Sequence, residues 1–214
     1  MVSALVLSAV VLSAATALFC LVYRPWHLRW GAMPHELKRS MPGDGELFVS
    51  SFTATRAITV AARPDDVWPW LVQIGFGRAG WYSYDWLDNL GRPSADRIIP
   101  ELQSIAAGDW VPMSGKVDER TAFRVAAFEP DRSLLWTKPD STWSWVLEPI
   151  DEHHTRVVSR LRCHHDATTL LGVVGIFLME FGDFPMFRKL LLNLRQRSEG
   201  LSAARAKEAQ GGFR

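Results

Sequence analysis

The chain is poor in cysteine and has no excess of charge of one sign, and each shortage excludes a class of function. Two cysteines among 214 residues, Cys20 and Cys163, are too few and too far apart for a disulfide framework or a cysteine-based metal site. The net charge of +1 leaves no electrostatic footprint for nucleic acid. The Gly-x-Ser-x-Gly motif of a serine nucleophile is missing as well. We therefore expect no nucleic-acid partner and no cofactor, while the oligomeric state stays open.

Four of the six histidines form two adjacent pairs, 153–154 and 164–165. The first pair lies in a polar turn, and the second pair ends a predicted strand. Neighbouring residues on a strand point to opposite faces, so neither pair chelates a metal ion well by itself. The sequence predicts no metal site.

Apolar side chains are abundant, and one apolar run stands at the N-terminus. Residues 2–23 carry no charge, and as a helix they would extend about 33 Å, close to the thickness of the bilayer hydrocarbon. Tyr23, Trp26 and Trp30 follow as an interfacial aromatic belt would, and basic residues stand at positions 24, 29, 38 and 39. This pattern predicts a single-pass transmembrane anchor over residues 1–24, with the rest of the protein in the cytoplasm.

A cleaved signal peptide is the alternative interpretation of this run. Residues 15–17, Ala-Thr-Ala, fit a small-x-small cleavage site, and residues 5–12 could form its apolar core. The positively charged leading region of a signal peptide is missing, and Phe19 before Cys20 is a poor lipoprotein context. These features favour the uncleaved anchor.

Beyond residue 51 the periodicity predicts one α+β domain. Residues 53–62 alternate like a strand, and Pro64 followed by two aspartates opens a helix with apolar residues at helical spacing. From residue 109 onward, five alternating segments separated by short polar turns predict an antiparallel meander. A helical pattern after Pro185 provides a cover for the apolar face of that meander.

Residue parity separates the two faces of the predicted sheet. Because alternate residues share a face, three of the strands each present an apolar row, and the opposite rows, rich in arginine and serine, should be largely solvated. The apolar rows are Phe123, Val125 and Ala127; Trp143, Trp145 and Leu147; and Val157, Leu161 and Cys163. The chain is thus divided into the anchor (1–24), a linker (25–51), the α+β domain (52–200) and a flexible tail (201–214).

Residues 77–98, GRAGWYSYDWLDNLGRPSADRI, place four aromatic side chains within six positions, among carboxylates and arginines. One interpretation is a structural brace in which the rings pack where helices meet the sheet. The other is a cavity mouth, in which rings form a wall and polar groups orient the head of a ligand. The candidate ligand-binding residues, taken from this stretch and from the apolar sheet face, are Arg78, Trp81, Tyr82, Tyr84, Asp85, Phe123, Trp143 and Trp145.

A second apolar run, residues 170–181, is too short to span a bilayer. It is either a buried connection into the last helix or a loop that dips into the membrane interface beside the anchor. In the second case Arg188 and Lys189 would contact anionic headgroups.

The order of elements and the segment from Val67 to Asn89, VWPWLVQIGFGRAGWYSYDWLDN, resemble the SRPBCC superfamily, which has the START-related, Bet v 1-like helix-grip fold. Within it the segment looks like a bacterial branch near the polyketide cyclase/dehydrase group. The resemblance covers about residues 52–200. It implies a curved antiparallel sheet that wraps a long C-terminal helix and encloses a largely apolar ligand cavity, and it supplies no catalytic residue.

Members of this superfamily include lipid carriers, hormone receptors and aromatase/cyclases, so three functions stay open. We favour a membrane-anchored protein that binds a hydrophobic small molecule, such as a lipid, an isoprenoid or a polyketide-like compound. The second is a cofactor-independent cyclase or dehydrase, with acid–base chemistry at Tyr82, Tyr84, Asp85 or Arg78. The third is an accessory or scaffold protein of a membrane complex.

Overall fold

The computed structural model describes residues 2–47 and 49–211, which form an α+β fold with one sheet. The strands are β1 Phe52–Val60, β2 Trp110–Pro112, β3 Ala122–Glu129, β4 Ser133–Lys138, β5 Ser141–Pro149 and β6 Thr155–Cys163. The α-helices are α1 Val2–Leu18, α2 Arg24–Leu28, α3 Pro34–Lys38, α4 Pro64–Val72, α5 Asp85–Asp88, α6 Leu170–Leu178 and α7 Phe184–Gly211. A 3₁₀ turn covers Pro100–Leu102. The predicted strand, helix and five-strand meander are thereby confirmed.

The sheet is antiparallel throughout, with the strand order β1-β6-β5-β4-β3-β2. Strands β2 to β6 follow one another as neighbours because short turns join them, and the long connection places β1 beside β6. The register between β3 and β4 shifts between Val125 and Ala127. A one-residue irregularity of this kind bends a strand and raises its twist.

Helix α7 packs across the apolar face of the sheet. Its residues Phe187, Leu190, Leu191 and Leu194 recur at helical spacing and are all buried against that face. Helix α4 lies beside α7 and adds Val67, Trp70 and Leu71 to the same core. A six-stranded antiparallel sheet covered by a long C-terminal helix is the arrangement of a helix-grip-like fold.

Part of the opposite face of the sheet is covered, although the sequence predicts that this face is solvated and that residues 25–51 are a linker. Residues 29–46, called the strap below, lie on this face and include α3. Arg160 of β6 donates hydrogen bonds to Asp44 Oδ2 at 2.6 Å and to the carbonyl oxygen of Glu36 at 2.9 Å. Arg156 pairs with the Glu36 carboxylate at 2.7 Å. Arg160 is therefore buried and Arg156 half-buried, because both guanidinium groups bond to oxygens of the strap, whereas Arg124 of β3 stays exposed.

Two apolar helices join the domain at one place. Helix α1 continues through a π-helical turn, Phe19–Tyr23, into α2, and α6 continues through a second π-helical turn, Met179–Asp183, into α7. The two π turns meet, since the Phe19 and Phe181 rings stack at 5.1 Å and Arg24 pairs with Glu180 at 2.8 Å. The apolar side chains N-terminal to each turn are mostly exposed.

Both helices have the length and hydropathy of a membrane span. The segments are Val6–Leu28 and Leu170–Gln210, and an 18-residue window in each has a mean hydropathy of 2.3 and 1.6, respectively. A signal sequence or the core helix of a soluble protein satisfies the same two criteria. The helix α6 is mostly exposed, so the apolar run at 170–181 is not a buried connection.

Candidate functional site

Aromatic rings fill the centre of the space between the sheet and α7. We call them the ring cluster: Trp81, Phe123, Trp136, Trp143, Trp145 and Phe187. Neighbouring ring centroids are 5.3 Å apart for Trp143 and Trp145, and 5.5 Å apart for Trp136 and Trp143. These separations are those of packed aromatic pairs. The middle of the domain is therefore core, and open space lies elsewhere.

A cleft of about 420 Å³ remains at one edge of the ring cluster. It lies between the aromatic stretch of residues 81–88, the end of β2 and the junction of α6 with α7. Its wall is mainly apolar, and Ser83, Asp88 and Asp183 are its polar side chains. The lining residues are Trp81, Ser83, Leu87, Asp88, Met113, Trp143, Leu178, Met179, Gly182, Asp183, Met186, Phe187 and Leu190.

Asp88 is the polar group of the cleft without a partner. Both of its carboxylate oxygens are buried, and neither has a hydrogen-bond partner among the described residues. Burial raises the pKa of Asp88 above its ordinary value of 3.8, and the neighbouring Asp85 carboxylate adds to the increase. The Ser83 hydroxyl and the backbone N–H groups of Tyr84 and Asp88 lie near enough to act against the increase in pKa, but none of them makes a hydrogen bond to the carboxylate. The Ser83 hydroxyl instead donates to the Met186 carbonyl oxygen at 3.0 Å. A ligand group that donates a hydrogen bond would satisfy Asp88.

Asp183, the second carboxylate of the cleft, is held by Arg56 of β1. The Arg56 guanidinium is buried, donates to Asp183 Oδ2 at 2.5 Å and donates to the His27 carbonyl oxygen at 2.8 Å. It also lies over the Phe187 ring, 5.1 Å from the centroid. One side chain thus ties the end of the N-terminal helix, the sheet and the start of α7 together beside the cleft.

The eight predicted ligand-binding residues fall into three places. Trp81 and Trp143 line the cleft, with their rings stacked at 5.7 Å. Tyr84 lines a separate groove beside α7. The structure places the other five outside both: Phe123 and Trp145 lie deep in the ring cluster, and Arg78, Tyr82 and Asp85 make contacts within the aromatic stretch and its neighbours.

Tyr82 has a structural role in the core. Its hydroxyl donates to the Trp70 carbonyl oxygen at 3.1 Å and accepts from Gln73 Nε2 at 2.8 Å. Burial raises its pKa far above the ordinary value of 10.0. The backbone φ angle of Tyr82 is 54°, a left-handed conformation that is uncommon for residues other than glycine. Tyr82 therefore braces the stretch, while Trp81 of the same stretch lines the cleft.

Arg78 and Asp85 also bind within the protein. Arg78 Nη2 donates to the Val72 carbonyl oxygen at 2.9 Å, and desolvation lowers the pKa of its guanidinium. The Asp85 carboxylate accepts from the Ser94 hydroxyl at 2.5 Å. These bonds position the loop whose other residues, Trp81, Ser83 and Asp88, face the cleft.

Most of the polar side chains of the cleft, and all of its residues from α6 and α7, are absent from the residues predicted from the sequence. Asp88 lies within residues 77–98, but whether its carboxylate finds a hydrogen-bond partner depends on residues that are far away in the sequence. The α7 side of the cleft carried a readable signal, because Asp183, Met186, Phe187 and Leu190 recur at spacings of three and four.

Within residues 2–47 and 49–211, no group of three or more His, Cys, Asp or Glu side chains could hold a metal ion. The cleft itself offers the separate carboxylates Asp88 and Asp183, the second already paired with Arg56. The chemistry of the cleft is that of an apolar pocket with hydrogen-bonding groups on its wall.

The fold and the cleft define a helix-grip-like α+β domain that carries two exposed apolar helices next to an apolar cleft. No protein-family model matches the chain, and the curated proteins give no match either.

Solved structures similar to the chain include three bacterial proteins. A protein from Thermobifida fusca is 18% identical, covers 70% of this chain and 94% of its own, and has a TM-score of 0.46. A protein from Mesorhizobium loti is 15% identical, covers 68% of this chain and 98% of its own, and has a TM-score of 0.39. A polyketide-cyclase-like protein from Corynebacterium glutamicum is 17% identical, covers 74% of this chain and 94% of its own, and has a TM-score of 0.33.

Proposed function

We propose that this protein binds a hydrophobic small molecule in the cleft while its N-terminal helix anchors it in a membrane. One observation supports the proposal above all: the cleft lies where the two apolar helices join the domain, and Leu178, Met179 and Gly182 of that junction form part of its wall. A ligand dissolved in the bilayer would meet the cleft without crossing water.

The membrane arrangement is argued from the N-terminal helix. From residue 6 to residue 22 its side chains are apolar or small and nearly all exposed, which in water would leave a large apolar surface uncovered. Arg24 and Arg29 follow the apolar part, so the positive-inside rule places the domain on the cytoplasmic side. This orientation belongs to the proposal.

The size and chemistry of the cleft limit the ligand. A volume of about 420 Å³ lies in the range of small-molecule pockets, roughly 300–1,000 Å³. Rings and methionine side chains suit an apolar body, and methionine adapts to irregular shapes. Asp88 suits a hydroxyl or amine on that body, because such a group donates to the unpartnered carboxylate. A lipid, isoprenoid or polyketide-like compound with one hydroxyl meets these requirements.

An enzyme is the second candidate, and Asp88 favours it. A carboxyl group in an apolar cleft with a raised pKa can donate a proton, as a cyclisation or dehydration requires. Of the acid–base residues considered from the sequence, Tyr82 is unsuited to this role because its hydroxyl is bonded in the core. Substitution of Asp88 by Asn that leaves ligand bound but stops turnover would favour the enzyme.

The test of the proposal fills the cleft with a side chain. Gly182 lines the cleft, and a Cβ added there meets no atom within 4 Å. The Gly182→Leu variant should fold and lose the bound compound. The measurement is mass spectrometry of apolar compounds that co-purify with the full chain in detergent, compared between the variant and the wild type.

Gly200 provides the matched control. It lies in α7, which continues from the π-helical turn that contains Gly182. A Cβ added at Gly200 also meets no atom within 4 Å, and this residue is exposed outside the cleft. The Gly200→Leu variant should keep the compound at the wild-type level. A wild-type chain that carries no apolar compound, or equal retention by both leucine variants, would contradict binding in the cleft.

A further inference from the structure

A second depression, distinct from the cleft, lies where the end of the N-terminal helix meets α7. We call it the groove: a space of about 350 Å³ lined by Trp26, Trp30, Tyr84, Phe184, Pro185, Arg188, Lys189 and Leu192. Its walls are aromatic rings and two basic side chains, and none of the lining residues is acidic. The proposed ligand cleft does not use any of these residues.

The two basic groups of the groove have no acidic partner among the described residues. The Arg188 guanidinium lies over the Trp30 ring, 5.3 Å from its centroid, and the Lys189 ammonium lies 4.1 Å from the centroid of the Tyr84 ring. Two acidic residues at the start of this helical segment are already paired with other basic groups, since Glu180 binds Arg24 and Asp183 binds Arg56. Cations that rest on aromatic rings keep their full charge available to an anion.

The position of the groove relative to the apolar helix indicates the source of that anion. Trp26 is half exposed and stands in the last turns of the apolar segment Val6–Leu28, where its ring packs edge-on against Phe184 at 4.9 Å. Tryptophan at the end of an apolar helix lies at the headgroup level of a bilayer. Arg188 and Lys189 are therefore brought to the same level as the phosphates of lipids.

We propose that the groove binds the phosphate-bearing headgroup of an anionic phospholipid. The inference rests on the proposed membrane anchoring, and it adds a lipid site that is separate from the ligand cleft. Trp26 and Trp30 contact the glycerol and upper acyl region, and the two basic side chains contact the phosphate. A bound headgroup also fixes the domain at the bilayer surface, with the mouth of the cleft near the acyl chains.

The test uses the full chain, purified in detergent and depleted of lipid. Phosphatidylglycerol or phosphatidylcholine is then added, and native mass spectrometry measures the fraction of protein with bound lipid. We expect a preference of the wild type for phosphatidylglycerol. The double variant Arg188→Gln/Lys189→Gln should lose about 30-fold in phosphatidylglycerol affinity, the effect of removing two basic contacts from an anionic surface.

The control removes two positive charges from the same helix outside the groove. Arg195 and Lys207 do not line the groove, and the Arg195→Gln/Lys207→Gln variant has the same net charge as the test variant. This control should bind phosphatidylglycerol as the wild type does. Equal weakening in both double variants would overturn the inference, because it would show a diffuse charge effect, and so would a wild type that does not distinguish the two lipids.

A competition experiment separates a lipid from free phosphate as the source of the anion. Millimolar inorganic phosphate should leave phosphatidylglycerol bound, since the tryptophan rings also hold the lipid body. Displacement by phosphate at that concentration would overturn the lipid site in favour of a soluble anion. If the lipid experiment fails while the co-purifying compound is lost only in Gly182→Leu, the lipid site in the groove is refuted and the ligand site in the cleft stands. If the lipid experiment succeeds but no apolar compound co-purifies with the wild type, the ligand site in the cleft is refuted and the lipid site in the groove stands.

Discussion

At the scale of single residues, two carboxylates of the cleft differ in how their charge is balanced. Asp183 is neutralised by the buried Arg56, whereas Asp88 has no hydrogen-bond partner in the part of the chain that the structure describes. Removing one member of a buried ion pair leaves an uncompensated charge, so Arg56 and Asp183 hold each other in place. Asp88 instead weakens the folded state whenever it is ionised. A site that keeps an unfavourable charge in an apolar wall is consistent with a ligand that satisfies it.

The first prediction concerns how the loss of folding stability caused by the ionised Asp88 carboxylate depends on pH. Because the folded chain binds the Asp88 proton more tightly than the unfolded chain, stability falls as the pH rises from 3.8 through the raised folded pKa. Asp88→Asn should therefore raise the melting temperature at pH 7, by about 2–4 °C for a gain of roughly 1 kcal/mol in a chain of this size. The gain should shrink as the pH is lowered toward 3.8.

Thermal unfolding of the ligand-free protein at several pH values measures the effect. Asp96→Asn is the matched control, because Asp96 is exposed and its substitution removes the same charge. A gain from Asp88→Asn that is independent of pH, or no larger than that of the control, would show that the Asp88 carboxylate is not destabilising.

At the scale of elements, the strap depends on the arginines of β6. Arg160 is buried and donates to the carbonyl oxygens of Glu36, Leu37 and Arg39 as well as to Asp44. The helix α3 has five residues and is too short to persist by itself. Its position on the sheet is therefore determined by these side-chain contacts rather than by its own helical propensity.

The second prediction is that Arg160→Gln releases the strap while the sheet persists. Tryptic cleavage after Lys38 and Arg39, followed by mass spectrometry, should become at least about tenfold faster, the factor that corresponds to ~1.4 kcal/mol of local opening free energy. The far-ultraviolet circular dichroism spectrum should stay close to that of the wild type.

Arg124→Gln serves as the comparison for the strap. Arg124 is an exposed arginine of β3 whose guanidinium lies over the Trp110 ring at 3.6 Å and does not touch the strap. Cleavage at unchanged rates in Arg160→Gln, or equal acceleration in Arg124→Gln, would mean that other contacts hold the strap.

At the level of the complete chain, side-chain contacts connect the two apolar helices with each other and with the domain. Arg56 connects the end of the N-terminal helix with α7, and the stacked Phe19 and Phe181 rings join the two π-helical turns. A protein of this shape places its cleft, its groove and the apolar part of both helices around a single junction. The proposed anchoring and the proposed binding sites therefore stand close together in space.

The third prediction is the orientation of the chain in a bacterial inner membrane. Alkaline phosphatase, which is active only outside the cytoplasm, should be inactive when it is fused to the C-terminus, because the basic residues follow the apolar helix. Insertion of several lysines after Met1 reverses the charge bias and should make the fusion active. Activity of the fusion to the unaltered chain would refute the cytoplasmic placement of the domain.

The periodic parts of the fold were determined by the sequence itself. Alternation in β3, β5 and β6 and helical spacing from Phe187 to Leu194 predicted the sheet and its covering helix, and the structure confirms both. These patterns are local, because each residue's face depends only on its position in a strand or a helix. The apolar N-terminal run is equally local and is found without coordinates, whereas the second helix reaches the length of a span only because the structure continues residues 170–181 into α7.

The tertiary structure alone decided where space remains. Phe123 and Trp145 share a predicted apolar face with Trp143, yet only Trp143 reaches the cleft, because the surrounding rings fill the centre of the domain. The strap appeared as a linker because its partners, Arg156 and Arg160, lie more than a hundred residues away. Packing and charge pairing join distant residues, and no pattern in a single sequence shows which of them will meet.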